Sequence, residues 1–156
     1  MDHLVRLDRE ARELERLCKG VKSMVVRGSM ERRPPHGAVG EGDRLFFVQE
    51  GEEGTVRATA RVRRADSTPL LGQEASIIRM VQNQRKLMLT EQQFGRWGGL
   101  RFLVFVEAED VKRVEPFFVD PSLLGQDGWA VLDDISQARR NASPAAFHSP
   151  GTRAQA

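Results

Sequence analysis

Tyrosine is absent from this sequence, and cysteine occurs once, as Cys18. One thiol cannot close an intrachain disulfide, so the framework that staples small secreted domains is excluded. The three histidines, His3, His36 and His148, are scattered, two of them near the termini. With one cysteine they offer no zinc-ligand spacing, and no metal site is expected. No Walker A sequence and no G-x-S-x-G elbow occurs, and no cofactor is expected. Gly40-Glu41-Gly42 comes nearest to a phosphate loop, but Glu41 would repel a phosphate, and the triplet reads as a turn before a strand. Long apolar runs are missing too. The stretch Phe102 to Val106 is far shorter than the roughly 20 residues that cross a bilayer. The opening MDHLVRLDRE is charged from its second residue and lacks the apolar core of a secretory signal. No membrane association is expected, and the expected location is the cytoplasm.

What is present is an ordinary globular mixture, 40% apolar and 29% charged, in 156 residues. A chain of that length can form one domain with a sizeable core. The net charge of +2 says little, but its distribution is informative. Lys19, Lys22, Arg27, Arg32 and Arg33 form one basic stretch and Arg57, Arg61, Arg63 and Arg64 another. The acids Glu41, Asp43, Glu50, Glu52 and Glu53 lie between them.

Hydrophobic period assigns the elements. Leu4, Leu7, Ala11, Leu14 and Leu17 recur at three and four, which predicts an amphipathic helix over 3–18 stopped by Gly20. Cys18, at its end, reads as a packing residue. Strands are expected at Lys22–Arg27 and Arg44–Gln49, with an acidic turn at 50–54. In Thr55–Arg64, Val56, Ala58, Ala60 and Val62 alternate with polar and basic residues, the signature of a half-buried strand. The period then lengthens. Helices are predicted over 73–86 and 90–97, the second opened by Thr90 with Gln93 as a capping box. Leu100–Ala108, Val111–Val119 and Trp129–Leu132 read as further strands, and 139–156 as a disordered tail after a domain of 1–138. The fold class is α+β: a small barrel of five to six mostly antiparallel strands with an N-terminal helix and a helical insertion. A helix-turn-helix over 73–97 is disfavoured, because its second helix is too short to read a groove.

The segment that carries chemistry is Gly20-Val21-Lys22-Ser23-Met24-Val25-Val26-Arg27. Backbone amides and a lysine where a helix gives way to a strand can hold an anionic or carbonyl oxygen, and arginine can add a bidentate contact. Gly20-x-Lys22-x-x-x-x-Arg27, followed by Gly42-Asp43-x-Leu45 and then the strand from Thr55, resembles the ASCH domain family of the PUA-like superfamily, over about residues 4–119. That resemblance implies a PUA-like barrel whose motif lines a cleft for RNA or a modified nucleoside. Some members resemble amidohydrolases acting on acetylated cytidine, and others ribonucleases. Val25 stands where the family motif carries Glu or Thr, and the insert around Asn83 and Gln84 holds no acid before Glu91. Catalysis of the amidohydrolase kind is therefore not expected, and binding is the leading expectation. Gly20, Lys22, Ser23, Arg27, Arg32, Arg33 and Arg63 are the candidate phosphate contacts, Asn83 and Gln84 the candidate base readers, and Trp97 or Trp129 the candidate stacking platform. Two alternatives stay open: a small hydrolase using Lys22 with Glu91 or Asp43, and a non-catalytic protein-interaction module.

Overall fold

The structure is a computed structural model that describes residues 1–141. Seven strands form one mixed sheet: β1 (Asp2–Leu7), β2 (Met24–Ser29), β3 (Arg44–Gln49), β4 (Thr55–Ser67), β5 (Phe102–Val119), β6 (Trp129–Leu132) and β7 (Arg139–Arg140). Their order is β2-β5-β4-β3-β1-β6, with β7 against the far end of β5. Only β1 and β3 run parallel; the other pairs are antiparallel. The helices are α1 (Glu13–Cys18), α2 (Gln73–Gln82), α3 (Gln84–Leu87) and α4 (Glu91–Trp97).

The predicted helix over 3–18 is corrected. Its first part is β1, which lies between β3 and β6, and only Glu13–Cys18 is helical. A strand paired on both edges and covered on both faces shows no alternation, so its spacing imitated a helix. The two strands expected at 100–108 and 111–119 are one strand, β5, which pairs with β4 along its length through three register shifts. Asp110, at φ 53°, sits in the bend between its halves. The predicted tail begins too early, because Arg139 and Arg140 pair with Val119 and Phe118; residues 142–156 lie outside the described residues.

The sheet curls around a core containing Leu7, Leu14, Leu17, Val25, Phe47, Ala58, Val62, Val106 and Trp129. The alternation read in β4 holds, with Val56, Ala58, Ala60 and Val62 all buried. The helical insertion covers the outer face of β2 and β5, packing Met80, Leu87 and Trp97 against Met24, Val26 and Phe105. The capping box predicted for α4 is formed: the Gln93 amide N–H donates to Thr90 Oγ1 and the Thr90 amide N–H to Gln93 Oε1.

The two ends of the sheet meet at Arg27, whose guanidinium acts as a staple. From β2 it donates to the Asp127 carbonyl (2.7 Å), just before β6, to the Arg6 carbonyl on β1 (2.6 Å) and to its neighbour Val26 (2.8 Å). The Trp129 ring of β6 lies 5.4 Å from the guanidinium carbon. Three carbonyls and an aromatic face let a buried cation hold the seam without an ionic partner. Burial lowers the Arg27 pKa to about 10, which leaves it charged at neutral pH.

Candidate functional site

A cleft of about 600 Å³ opens between the β1–α1 segment and α4. Its walls come from Arg6, Leu7, Asp8, Arg9, Glu10 and Glu13 on one side, and from Leu89, Gln92, Gln93, Arg96 and Trp97 on the other. Val26, Arg27, Glu50 and Asp127 complete it. The volume falls in the range of small-ligand sites, enough for one nucleoside or nucleotide.

The motif residues are present, but they do structural work. Gly20, at φ 77°, closes α1: its N–H bonds the Leu17 carbonyl (3.1 Å) and the Val21 N–H bonds the Arg16 carbonyl (3.0 Å). That double bond is the Schellman pattern, which selects glycine at this position. Lys22 is 1% exposed and does not line the cleft. Its ammonium donates to Glu13 Oε2 (3.1 Å) and to the Leu87 carbonyl. Desolvation drives the Lys22 pKa below its ordinary value, and the Glu13 carboxylate opposes that shift. Arg27 is the seam staple and forms the floor of the cleft. Val25 packs inside the barrel, so no polar group could serve the cleft from that position.

Other predicted site residues also lie elsewhere. The Ser23 amide donates to the Lys86 carbonyl, its own carbonyl accepts from Ala108, and it is outside the cleft. The Arg32 guanidinium lies over Phe102, 5.3 Å from the ring centroid. Arg33 pairs with Asp127 (3.3 Å) behind the wall rather than in it. Arg63 is exposed on β4. Asn83 donates to the Arg79 carbonyl (2.9 Å) and Gln84 to the Leu89 carbonyl (3.0 Å); both tie down helix ends and lie outside the cleft. His36, read as an exposed loop residue, is half-buried and packs edge-on against Phe102, with a ring nitrogen 2.7 Å from the Thr68 carbonyl. Trp97 does line the cleft, but it is 6% exposed, with Arg96 over its ring at 4.5 Å and Arg27 at 5.6 Å. A base could not stack on it without displacing Arg96. Trp129 is buried in the barrel.

Sequence reasoning missed Arg6, Arg9, Arg96 and Glu13. Among the described residues Arg6, Arg9 and Arg96 make no ion pair. Arg6 and Arg96 reach the same oxygen, the Gln126 carbonyl, at 3.2 and 3.5 Å, which brings the two guanidinium groups side by side. Two cations share one weak neutral acceptor there, a geometry ready for a stronger anionic one. The lining is not uniformly basic. Asp8, Glu10, Glu13, Glu50 and Asp127 also contribute, but Glu13 is neutralised by Lys22 and Asp127 by Arg33. Glu13 Oε1 also accepts the Asp8 N–H (2.8 Å), so both of its oxygens are engaged at the wall.

The acids expected to assist Lys22 are not near it. Asp43 binds His3 Nε2 (2.8 Å), the Gly40 N–H (3.0 Å) and the terminal ammonium (3.3 Å). Glu91 is exposed and outside the cleft. The Trp129 indole N–H donates to His3 Nδ1 (3.0 Å), so His3 Nε2 carries the ring proton and donates it to Asp43. Burial holds His3 below its ordinary pKa against the opposing pull of Asp43. Among the described residues no group of three or more His, Cys, Asp or Glu side chains could hold a metal ion, and no helix is long and apolar enough to cross a membrane.

A curled, mixed sheet stapled at one seam, with helices over one face and a cleft at the seam, defines an α+β barrel-like class. Solved structures place it more narrowly. The crystal structure of ASCH from Zymomonas mobilis is similar with a TM-score of 0.60 and 15% identity, over 87% of this chain and 91% of that one. A single-residue mutant of the same protein gives 0.60 and 14%, over 87% and 93%. The chain thus shares the fold of these ASCH structures, an α+β barrel type that the motif resemblance implied. No protein-family model and no curated protein matches the sequence.

Proposed function

We propose that this chain binds RNA or a nucleotide, placing one phosphorylated nucleoside unit in the cleft between β1 and α4. The observation that carries the proposal is the convergence of Arg6 and Arg96, without a carboxylate partner, at a cleft of nucleotide size. Arginine pairs of this kind grip phosphate through charge-assisted hydrogen bonds. Arg9 adds a third cation, and Gln92 offers an exposed amide able to donate to and accept from a base edge. The ASCH-type fold supports the same reading. The test is a titration of short labelled single-stranded RNAs, nucleoside monophosphates and unphosphorylated nucleosides, at two salt concentrations. The expected result is affinity that falls with salt, exceeds that of the unphosphorylated nucleoside, and drops roughly 10- to 100-fold in Arg6→Ala/Arg96→Ala. Salt-independent affinity, or affinity indifferent to both arginines, would refute it.

A hydrolytic second reading rests on Glu13. Its carboxylate lines the cleft, and the Lys22 ammonium pairs with it from behind. In that reading Glu13, not Lys22, touches the substrate and takes a proton from an attacking water. Acylated nucleosides and RNA oligomers are the substrates to assay. Turnover by the wild type that is lost in Glu13→Gln supports it, and no turnover by the wild type removes it.

A further inference from the structure

Two guanidinium groups lie over the Trp97 ring, and they differ in how firmly they are held. Arg27, 5.6 Å from the ring centroid, is buried and bonded to three carbonyls. Arg96 is closer, at 4.5 Å, but it is exposed, and its hydrogen bond to the Gln126 carbonyl is long, at 3.5 Å. Among the described residues no carboxylate pairs with it. A cation–π contact at an exposed site and a hydrogen bond at the limit of its range are both weak holds. Arg96 is therefore the movable one of the two.

That side chain has two places to be. Arg6 and Arg96 meet at the Gln126 carbonyl, while Trp97 is the tryptophan that lines the same cleft. One guanidinium thus stands both where a phosphate would be gripped and on the indole face where a base would stack. A phosphate between Arg6 and Arg96 offers a charged acceptor in place of a neutral one. Hydrogen bonds with an ionised partner are roughly twice as strong as neutral ones, which is enough to draw Arg96 away from both of its weak holds.

We propose that Arg96 is a phosphate-operated cover on a base-stacking surface, an inference that rests on the phosphate reading of the cleft and adds an order to it. Without phosphate, Arg96 occupies the Trp97 face. With phosphate bound, it turns to the anion, and the base of the same nucleotide takes its place on the indole. An unphosphorylated nucleoside has to displace Arg96 with no anion to hold it elsewhere, so the cleft discriminates against it. Since one side chain links the two contacts, phosphate and base each improve the binding of the other by the same factor.

The test is fluorine NMR of the full chain with fluorotryptophan at Trp97 and Trp129, the signals being assigned with Trp97→Phe. The shift between light and heavy water reports how exposed each indole is. Calorimetry gives the affinities of adenosine and adenosine monophosphate for wild type, Arg96→Ala and Arg6→Ala, and circular dichroism checks that each is folded. In wild type, inorganic phosphate alone is expected to raise the exposure of Trp97 and leave Trp129 unmoved. Arg96→Ala should expose Trp97 without any ligand, bind adenosine about two- to fivefold more tightly than wild type, and bind adenosine monophosphate about tenfold more weakly. Arg6→Ala keeps the cover, so it should weaken the monophosphate and leave adenosine unimproved. A Trp97 as covered in Arg96→Ala as in wild type, a Trp97 signal indifferent to phosphate, or adenosine affinity unchanged by Arg96→Ala would each overturn the cover alone. Monophosphate affinity that neither arginine variant alters would refute the phosphate reading, and the cover with it.

Discussion

Replacing Lys22 with methionine should be far more damaging than its place in a binding motif suggests. Methionine keeps most of the stem's volume, so the change isolates the charge. It leaves the Glu13 carboxylate 5% exposed, with only the Asp8 N–H as a donor. Breaking a buried ion pair from one side costs about 3–5 kcal/mol, a large share of the 5–15 kcal/mol that stabilises a typical domain. Glu13→Gln should cost less, about 1–3 kcal/mol, because the amide still accepts a hydrogen bond and the buried ammonium, already displaced below its ordinary pKa, can lose its proton. The double substitution should cost less than the sum of the two by about 2 kcal/mol. Urea denaturation followed by circular dichroism measures all four corners of the cycle. A loss below about 1 kcal/mol, additive with Glu13→Gln, would show that the pair is solvated and the reasoning wrong. Loss of ligand binding in a Lys22 variant then reports the fold as much as the ligand.

His3 gives a pH dependence of its own. Its folded pKa is below the ordinary 6.5, so its contribution is complete above pH 6.5 and is lost as pH falls towards the folded pKa. Thermal unfolding between pH 7.5 and pH 5 should show wild type losing stability, while His3→Gln, less stable overall, shows a flatter profile; parallel profiles would discard the assignment. Thr90→Ala removes the cap of α4 and should cost about 1 kcal/mol in denaturant titrations, with hydrogen exchange in α4 accelerated before that of β4.

The elements legible in the sequence were those whose signal is local. The alternation of β4, the capping box of α4, the glycine stop after α1 and strand β3 all follow from residues within a turn or two of one another. β1 was not legible because its environment is assembled from distant chain. Asp2 is buried through the Arg44 guanidinium and the Ile135 N–H, and His3 through Asp43 and Trp129. Of the candidate site residues only Arg27 and Trp97 line the cleft, and the rest of its wall was illegible for the same reason. Glu13 sat among the charged residues of a helix assumed to face solvent, and nothing in its neighbourhood announces a partner nine positions on. Arg6 and Arg96 are ninety residues apart and share no motif; only the closed seam brings them to one carbonyl. The motif was read as ligand chemistry, whereas its glycine, lysine and arginine respectively end a helix, fill a buried ion pair and staple the sheet.

The central claim, that the ligand lies in the cleft against Arg6 and Arg96, is tested most directly by NMR. Nitrogen-15 spectra of the arginine side chains and of the two tryptophan indoles would be recorded while a nucleoside monophosphate, and then a short RNA, is added. The account predicts shifts at Arg6, Arg9, Arg96 and the Trp97 indole, with Arg61, Arg63 and Arg64 on β4 unmoved. Shifts confined to those β4 arginines, with the cleft silent, would contradict it.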